Sequence, residues 1–270
     1  YPASAAARTA GRTPRTAGAG TARDWAEIQE RMLVPLYEAV YARLEIGTGT
    51  RLLGVGCGSG LALLMAAARG ADVTGVEPDE RRLALARERL LPGPRTRPAR
   101  PRPAPARLVR GGPEAVGGTG RGAAPFNTVT VFGPAGADVL GAAAALAEPG
   151  SPVILAGWGP PERCATTRVL RTAAPSATVS PAAGRDGLEE LARRAGLRPD
   201  GSGRVACPFA YPDMDSAVRG LVSTGLPDAP DGPADPDVVA KDLTEALHPF
   251  RRPDGSVRMD NVFRYLIART

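Results

Sequence analysis

A glycine-rich segment that follows a short apolar run is the feature of this sequence that most restricts its fold. Gly56, Gly58 and Gly60 lie in the segment GCGSG, between the apolar residues 51–55 and a run with apolar residues at helical spacing. Glycine here allows positive φ and lets a ligand approach the backbone, because no Cβ is present. Free N–H groups at the start of the following helix can bind carboxylates or phosphates. The segment therefore predicts a strand–loop–helix unit with a ligand-binding loop.

Apolar periodicity extends this unit into an alternation of strands and helices. Short turns between the elements predict a parallel sheet flanked by helices, and hence an α/β fold. Strands are predicted at residues 51–55, 72–76, 106–110, 126–132, 152–156, 204–209 and 261–268. Helices are predicted at residues 23–44, 61–68, 78–91, 137–147, 186–195, 213–223 and 235–248.

Two stretches fall outside this alternation. Residues 1–22 are mostly Ala, Arg, Thr, Gly and Pro and contain no apolar core of the kind a secretory signal needs, which predicts a disordered tail. Residues 92–106 are rich in proline and arginine, and proline at this density excludes helix and central strand. We interpret them as a solvated loop, with a basic docking segment for an acidic partner as the alternative. Residues 23–270 are predicted to form one domain.

Composition limits the partners we expect. The net charge is +6, but Lys241 is the only lysine among 34 basic residues, and 28 prolines and 33 glycines accompany it. That bias indicates a GC-rich coding background more than a nucleic-acid partner. No stretch approaches the about 20 apolar residues of a membrane span. Cys57, Cys164 and Cys207 form no metal or disulfide pattern, which favours a reducing, cytoplasmic location. We expect no nucleic acid, membrane or metal to be bound.

An acid at the end of the second predicted strand indicates which ligand the loop binds. Glu77 follows residues 72–76, where doubly wound folds place a carboxylate that accepts hydrogen bonds from ribose hydroxyls. A dinucleotide site would require GxGxxG, and Leu61 stands where its third glycine belongs. The pattern favours a nucleoside ligand without a pyrophosphate. Glycines that only form a tight turn are the alternative.

Four segments resemble small-molecule methyltransferases that use S-adenosylmethionine (SAM), of the kind found in actinobacterial natural-product pathways. They are LLGVGCGSG (52–60), VTGVEPDE (73–80), LARRAGLRP (191–199) and PFRRPDGSVRMDNVFRYLIAR (249–269). Gly56, Gly58 and Gly60 match the family's first motif, and Glu77 matches its ribose-binding acid. The resemblance, over residues 24–91 and 126–270, implies a Rossmann-like sheet of seven mostly parallel strands with helical covering elements. Its last strand, residues 261–268, is expected to run antiparallel.

The resemblance also implies a set of site residues. Trp25, Tyr37 and Trp158 are expected to wall an apolar substrate pocket together with Phe132, with ordinary core packing as the alternative. His248 is the only histidine and so the only side chain with an ordinary pKa near neutrality, which makes it a candidate base; helix capping is the alternative. Cofactor contacts are implied for Gly54, Gly56, Cys57, Gly58, Gly60, Glu77, Pro78, Gly112, Pro113 and Phe132. Within this set the cysteine is interpreted as a small loop residue, not a nucleophile.

Three positions at which the family usually has an acid are not acidic in this chain. They are Gly54, Gly112 and Asn127; Glu114 is a candidate substitute for the acid at Gly112, and a bridging water is a candidate substitute at Gly54. A charged hydrogen bond to a ligand is worth about 1.5–3 kcal/mol, so the loss of two weakens binding by roughly 10² to 10⁴.

The leading interpretation is a SAM-dependent methyltransferase that acts on a natural-product-like small molecule. The alternative is a degenerate relative that acts as a non-methylating enzyme, such as a cyclase, or as a partner subunit. Nucleic-acid methylation is disfavoured, because the sequence contains no base-flipping tetrad of the Asn-Pro-Pro-Tyr type.

Overall fold

A seven-stranded sheet forms the centre of the protein. The computed structural model describes residues 17–91, 106–117, 124–173, 186–224 and 235–270. The strands in these ranges are β1 (Arg51–Val55), β2 (Asp72–Glu77), β3 (Arg107–Arg110), β4 (Thr128–Val131), β5 (Pro152–Trp158), β6 (Arg198–Ala206), β7 (Phe209–Tyr211), β8 (Val257–Met259) and β9 (Val262–Arg269). The main sheet has the order β3-β2-β1-β4-β5-β9-β6, and β7 pairs with β8 in a separate two-stranded sheet.

Strand direction changes only at the end of the main sheet. The strands β3, β2, β1, β4 and β5 are parallel to their neighbours, and β9 is antiparallel to both β5 and β6. In β1, Gly54 lies opposite Gly75 of β2 on one side and Thr130 of β4 on the other. The strand order reverses at β1 and β4, and α/β folds bind ligands at the carboxyl ends of such strands. The predicted Rossmann-like α/β fold, with its antiparallel last strand, is confirmed.

Helices pack around the sheet, and capping residues mark where two of them begin. Asp79 accepts the N–H of Arg81 at 2.8 Å at the start of one helix, and Asp213 accepts the N–H of Ser216 at 2.7 Å at the start of another. Such caps satisfy N–H groups that have no partner in the first turn. The helices are α1 (Ala17–Asp24), α2 (Val34–Arg43), α3 (Leu61–Ala68), α4 (Glu80–Leu90), α5 (Glu114–Gly117), α6 (Ala137–Ala144), α7 (Ala165–Ala173), α8 (Gly187–Arg194), α9 (Met214–Val222) and α10 (Pro236–Leu247).

Buried apolar side chains form two clusters. Leu52 belongs to one cluster and Leu53 to the other, because successive side chains of a strand point to opposite faces of the sheet. The first cluster joins β1 to side chains of α2 and α3. The second joins it to Leu140 of α6 and Leu188 of α8. The sheet is therefore covered on both faces.

The first helical segment covers the carboxyl edge of the sheet but is not one regular helix. Between α1 and α2 the chain forms a π-helical turn, Trp25–Gln29, and a 3-10 turn, Glu30–Leu33. Pro35, in the first turn of α2, has no N–H to donate to the turn before it, which interrupts regular α-helical bonding there. We call residues 17–43 the covering segment. Its first helix begins inside the stretch predicted as a tail, of which residues 1–16 lie outside the described ranges.

The structure differs from the predicted elements mainly after β5. The strand β6 begins at Arg198, earlier than the predicted start at residue 204, although its first half, RPDGSG, is typical of a turn. It lies at an edge of the sheet with an irregularity between Pro199 and Gly201, and an edge strand tolerates proline and glycine there. The helix α7 and the strand β8 were not predicted. Residues 92–105 of the proline- and arginine-rich stretch lie outside the described ranges. No helix in those ranges is long and apolar enough to cross a membrane.

Candidate functional site

The glycine loop lies at the carboxyl end of β1 and leads directly into α3. Gly56, Gly58 and Gly60 have φ values of 63°, 58° and 83°. Two backbone hydrogen bonds fix the loop: the Cys57 N–H donates to the carbonyl oxygen of Val76 at 3.0 Å, and the Gly60 N–H donates to that of Cys57 at 2.9 Å. The loop is therefore held against β2, with all three glycines in the left-handed region that other residues rarely adopt.

The three glycines face different surroundings. A Cβ placed on Gly56 would have no atom within 4 Å, whereas one on Gly60 would lie 3.0 Å from the Cβ of Ala86 in α4. A Cβ on Gly58 would lie 3.1 Å from both the Trp25 Nε1 and the Glu30 Oε1 atoms. Gly56 thus opens toward free space, Gly60 allows α4 to pack closely, and Gly58 allows the covering segment to approach.

Glu77 joins the glycine loop to the next βα turn. Its Oε2 accepts the N–H of Gly58 at 2.8 Å, and its Oε1 accepts the N–H of Asp79 at 3.0 Å. The residue is 5% exposed. Each carboxylate oxygen has a further lone pair, so both can still accept a hydrogen bond from a ligand hydroxyl. The geometry agrees with the predicted ribose-binding role, which remains a prediction.

A cavity of about 260 Å³ lies where the glycine loop, the end of β4 and the covering segment meet. It is slightly smaller than the about 300–1,000 Å³ of typical ligand pockets. Nine of the residues predicted for the site line it: Trp25, Tyr37, Gly54, Gly56, Cys57, Gly58, Glu77, Pro78 and Phe132. Sequence reasoning therefore located this cavity and much of its wall.

A buried polar cluster connects the covering segment to the glycine loop. Glu30, which is 2% exposed, accepts hydrogen bonds from Ser59 Oγ and from Nη1 of Arg89, the latter at 2.6 Å. Arg89 also donates to the Ser59 Oγ at 2.9 Å and to the backbone oxygen of Ala26 at 2.7 Å. These contacts hold the covering segment on the loop.

Trp25 also approaches the glycine loop, at the same position of Gly58 as Glu30. The guanidinium of Arg82 lies 4.7 Å from the centre of its ring and donates to the backbone oxygen of Ser223 at 3.0 Å. The indole Nε1 atom of Trp25 is buried and has no hydrogen-bond partner within the described part of the chain. Buried N–H groups are normally paired, so this donor is a candidate contact for a water or a ligand.

Burial raises the pKa of three ionisable groups that line the cavity. It raises the pKa of the Cys57 thiol to about 12 and that of the Tyr37 phenol well above its ordinary value. Burial also raises the pKa of Glu30, while hydrogen bonds with Ser59, Arg89 and the backbone of Leu61, together with the charge of Arg89, lower it. A thiol with such a pKa is a poor nucleophile, which agrees with the interpretation of Cys57 as a small packing residue.

Five predicted residues do not line the cavity. Gly60 packs under α4, and Trp158 packs on Phe263, with ring centres 4.5 Å apart. His248 is exposed at the end of α10, where its backbone oxygen accepts from Arg251 at 3.2 Å. Gly112 and Pro113 follow β3 and are also outside the lining. The structure therefore does not bring the only histidine to the cavity, because α10 ends away from the glycine loop.

Two of the positions that lack the usual acid, Asn127 and Gly54, lie in different surroundings. Asn127 lies at the amino end of β4, where its Oδ1 accepts the N–H of Arg51 at 2.8 Å and its Nδ2 donates to the oxygen of Gly49 at 2.9 Å. Asn127 thus links the start of β4 to the start of β1, far from the cavity. The absence of an acid at this position therefore removes no contact with a ligand. Gly54 does line the cavity, but a Cβ on it would lie 2.8 Å from Leu63 Cδ2.

Sequence reasoning missed several residues that line the cavity, namely Glu30, Arg82, Thr130 and Thr224. A signal existed for Glu30, which precedes Leu33 and Tyr37 at spacings of three and seven, on one face of a helix. A carboxylate on an otherwise apolar face is unusual and marks a candidate functional residue. For Arg82 and Thr224 the sequence carries no such signal.

The sheet order, the glycine loop and the acid at the end of β2 define a protein with the class I SAM-dependent methyltransferase fold. Residues 53–100 match the family described as methyltransferase domain. No curated protein sequence matches the chain. The sequence signature of the family thus includes the glycine loop and the three elements that follow it, α3, β2 and α4.

Several solved structures are similar to this chain. A SAM-dependent methyltransferase from Thiobacillus denitrificans, solved with S-adenosyl-L-homocysteine, is 18% identical with a TM-score of 0.53 and covers 95% of this chain and 99% of its own. YjhP from E. coli is 17% identical with a TM-score of 0.55 and covers 93% and 99%. The [4+2]-cyclase SpnF is 17% identical with a TM-score of 0.50 and covers 87% and 80%. At these identities the likeness shows the fold.

Proposed function

We propose that this protein is a SAM-dependent methyltransferase that acts on a small molecule. The arrangement of Glu77 supports this proposal most directly. Its buried carboxylate lies at the end of β2 beside Gly58, with lone pairs left on both oxygens. Two adjacent acceptors at this place suit the two hydroxyls of a ribose.

The rest of the cavity fits the same cofactor. Gly56 has open space where a side chain would lie, so a ligand can contact its backbone. The buried Trp25 Nε1 supplies an unpaired donor for a carboxylate or hydroxyl of the ligand. Leu61 in place of a third glycine disfavours a dinucleotide.

The cofactor, when bound, supplies an electrophilic methyl group on a sulfonium. The protein's own contribution is to position the two reactants and to exclude water. Tyr37 and Phe132 both line the cavity and pack together with ring centres 4.7 Å apart. These aromatic walls favour an apolar or aromatic acceptor. No histidine lies there, and with the Tyr37 phenol protonated the acceptor must lose its proton to water or to a carboxylate.

The similarity to a [4+2]-cyclase concerns the fold, and no feature of the described cavity favours a non-methylating activity over methyl transfer. Of the three non-acidic positions, Asn127 lies away from the cavity, which reduces the case for lost cofactor binding. A cytoplasmic role in secondary metabolism, without nucleic acid or membrane as partner, is part of the same proposal.

Calorimetric titration with S-adenosylhomocysteine (SAH) tests this function. Glu77→Gln should weaken SAH binding by about 10- to 100-fold, because the ribose hydroxyls lose a charged acceptor. Glu88→Gln is the matched control, since Glu88 is exposed on α4 and does not line the cavity. Equal affinities in the Glu77→Gln and Glu88→Gln variants, or no SAH binding by the unaltered protein, would contradict the proposal.

A further inference from the structure

The methionine end of SAM carries an ammonium group, and the usual acid for it is absent at Gly54. Gly54 has no side chain, and a Cβ there would lie 2.8 Å from Leu63 Cδ2, so an acid at this position would require the Leu63 side chain to shift. Leu63 is 1% exposed and belongs to the first apolar cluster. An acceptor for the ammonium must therefore come from another element.

Two carboxylates line the described cavity; they belong to different elements, and both lie close to Gly58. Glu77 is at the end of β2, with both oxygens bonded to backbone N–H groups. Glu30 belongs to the covering segment and lies above the loop, with its Oε1 3.1 Å from the Cβ position of Gly58. Its Oε2 is the atom that accepts from Ser59 and Arg89. Of the two Glu30 oxygens, Oε1 is therefore the one nearest the Cβ position of Gly58.

We propose that Glu30 binds the ammonium group at the methionine end of SAM and so replaces the acid that is absent at Gly54. This inference rests on the proposed function. It assigns a cofactor contact to the covering segment, an element outside the strand–loop–helix unit that carries the family's sequence signature.

The environment of Glu30 supports this assignment. Removing a carboxylate from water is costly, and Arg89 is the one cation paired with it among the described residues. Burial accordingly raises its pKa despite that pair. A second cation at the other oxygen would offset the remaining cost, so the site is suited to a ligand with a positive charge.

The experiment compares two ligands that differ in the amino-acid end, which includes the ammonium that Glu30 is proposed to bind. SAH carries the amino-acid end with its ammonium, whereas 5′-methylthioadenosine has the same nucleoside without it. Calorimetry on the full chain should show that Glu30→Gln weakens SAH binding by about 10- to 100-fold while binding of 5′-methylthioadenosine changes little. Glu27→Gln is the matched control, because Glu27 is exposed on the same segment.

Each other result overturns the assignment. An equal loss for both ligands would show that Glu30 acts only by holding the loop, and no loss for either would remove it from the site. If Glu30→Gln does not fold, as judged by its thermal melt, Glu30→Asp withdraws the charge by one methylene and should show the same selective loss. Failure of the unaltered protein to bind either ligand would instead refute the proposed function itself.

Discussion

Leu63 occupies the space beside β1 in which a side chain at position 54 would have to lie. A Cβ on Gly54 would also lie 3.8 Å from the Cβ of Cys57, so the region is filled from α3 and from the loop. Protein interiors are packed at nearly crystal density, and added atoms force neighbours to shift. Glycine at position 54 and leucine at position 63 therefore form one packing arrangement.

Restoring an acid at position 54 should therefore destabilise the protein. Gly54→Asp is expected to lower the free energy of unfolding by about 1–3 kcal/mol through overpacking, measured by denaturant titration. In a double-mutant cycle with Leu63→Ala, the combined loss should be smaller than the sum of the two single losses. Additive losses would show that Leu63 is not what excludes a side chain there.

At the scale of elements, the loop between β1 and α3 serves two different surfaces. Gly56 faces the cavity and Gly60 faces α4, yet both have positive φ. Alanine at either position therefore meets similar backbone strain, of about 1–2 kcal/mol. Within this short loop, Gly60 allows α4 to pack closely, whereas Gly56 is expected to allow a ligand to contact the backbone.

Alanine substitution at Gly56 and at Gly60 should affect stability and SAH affinity in opposite orders. Gly60→Ala should cause the larger loss of stability, because its Cβ would lie 3.0 Å from Ala86 Cβ and 3.1 Å from Leu90 Cδ1. Gly56→Ala should cause the smaller loss of stability but the larger loss of SAH affinity, because its Cβ enters open space in the cavity. Thermal melts and calorimetry of both variants check this, and a reversed order would contradict the assigned roles.

The loop and its strands were predictable because they are local patterns. The predicted bounds of β1 agree with the structure, and Glu77 was placed correctly at the end of β2. The cavity-lining residues of the covering segment were harder to predict from the sequence, because π and 3-10 turns change which side chains share a face. That is why Trp25 and Tyr37 were found by their aromatic character while Glu30 was missed.

Trp158 and His248 were predicted for the site but do not line the cavity, for a different physical reason. Trp158 and His248 were selected by residue type and by position near an element's end, but neither property fixes where the element ends relative to the cavity. Trp158 packs between β5 and β9 on Phe263, and His248 ends a peripheral helix. Long-range packing decided both positions, and a single sequence carries little signal for it.

At the scale of the whole molecule, cofactor binding should raise the free energy of unfolding. A ligand that binds only the folded state adds about 2.7 kcal/mol at a concentration 100-fold above its Kd. For a chain of this size we expect SAH under those conditions to raise the Tm by about 5–10 °C. NAD at the same concentration should produce no shift, because the loop lacks the third glycine of a dinucleotide site. A comparable shift with NAD would indicate a different ligand class.

The position of β9 in the main sheet also has a consequence for the order in which the protein folds during synthesis. The strand lies between β5 and β6, and β6 pairs with no other strand of the main sheet. A ribosome therefore releases β6 before its only neighbour in that sheet has been made, and the edge of the nascent sheet stays unpaired until residues 262–269 emerge. Unpaired strand edges are prone to aggregation. Stop codons placed just before residue 262 should accordingly yield chains that bind chaperones, whatever the integrity of the glycine loop.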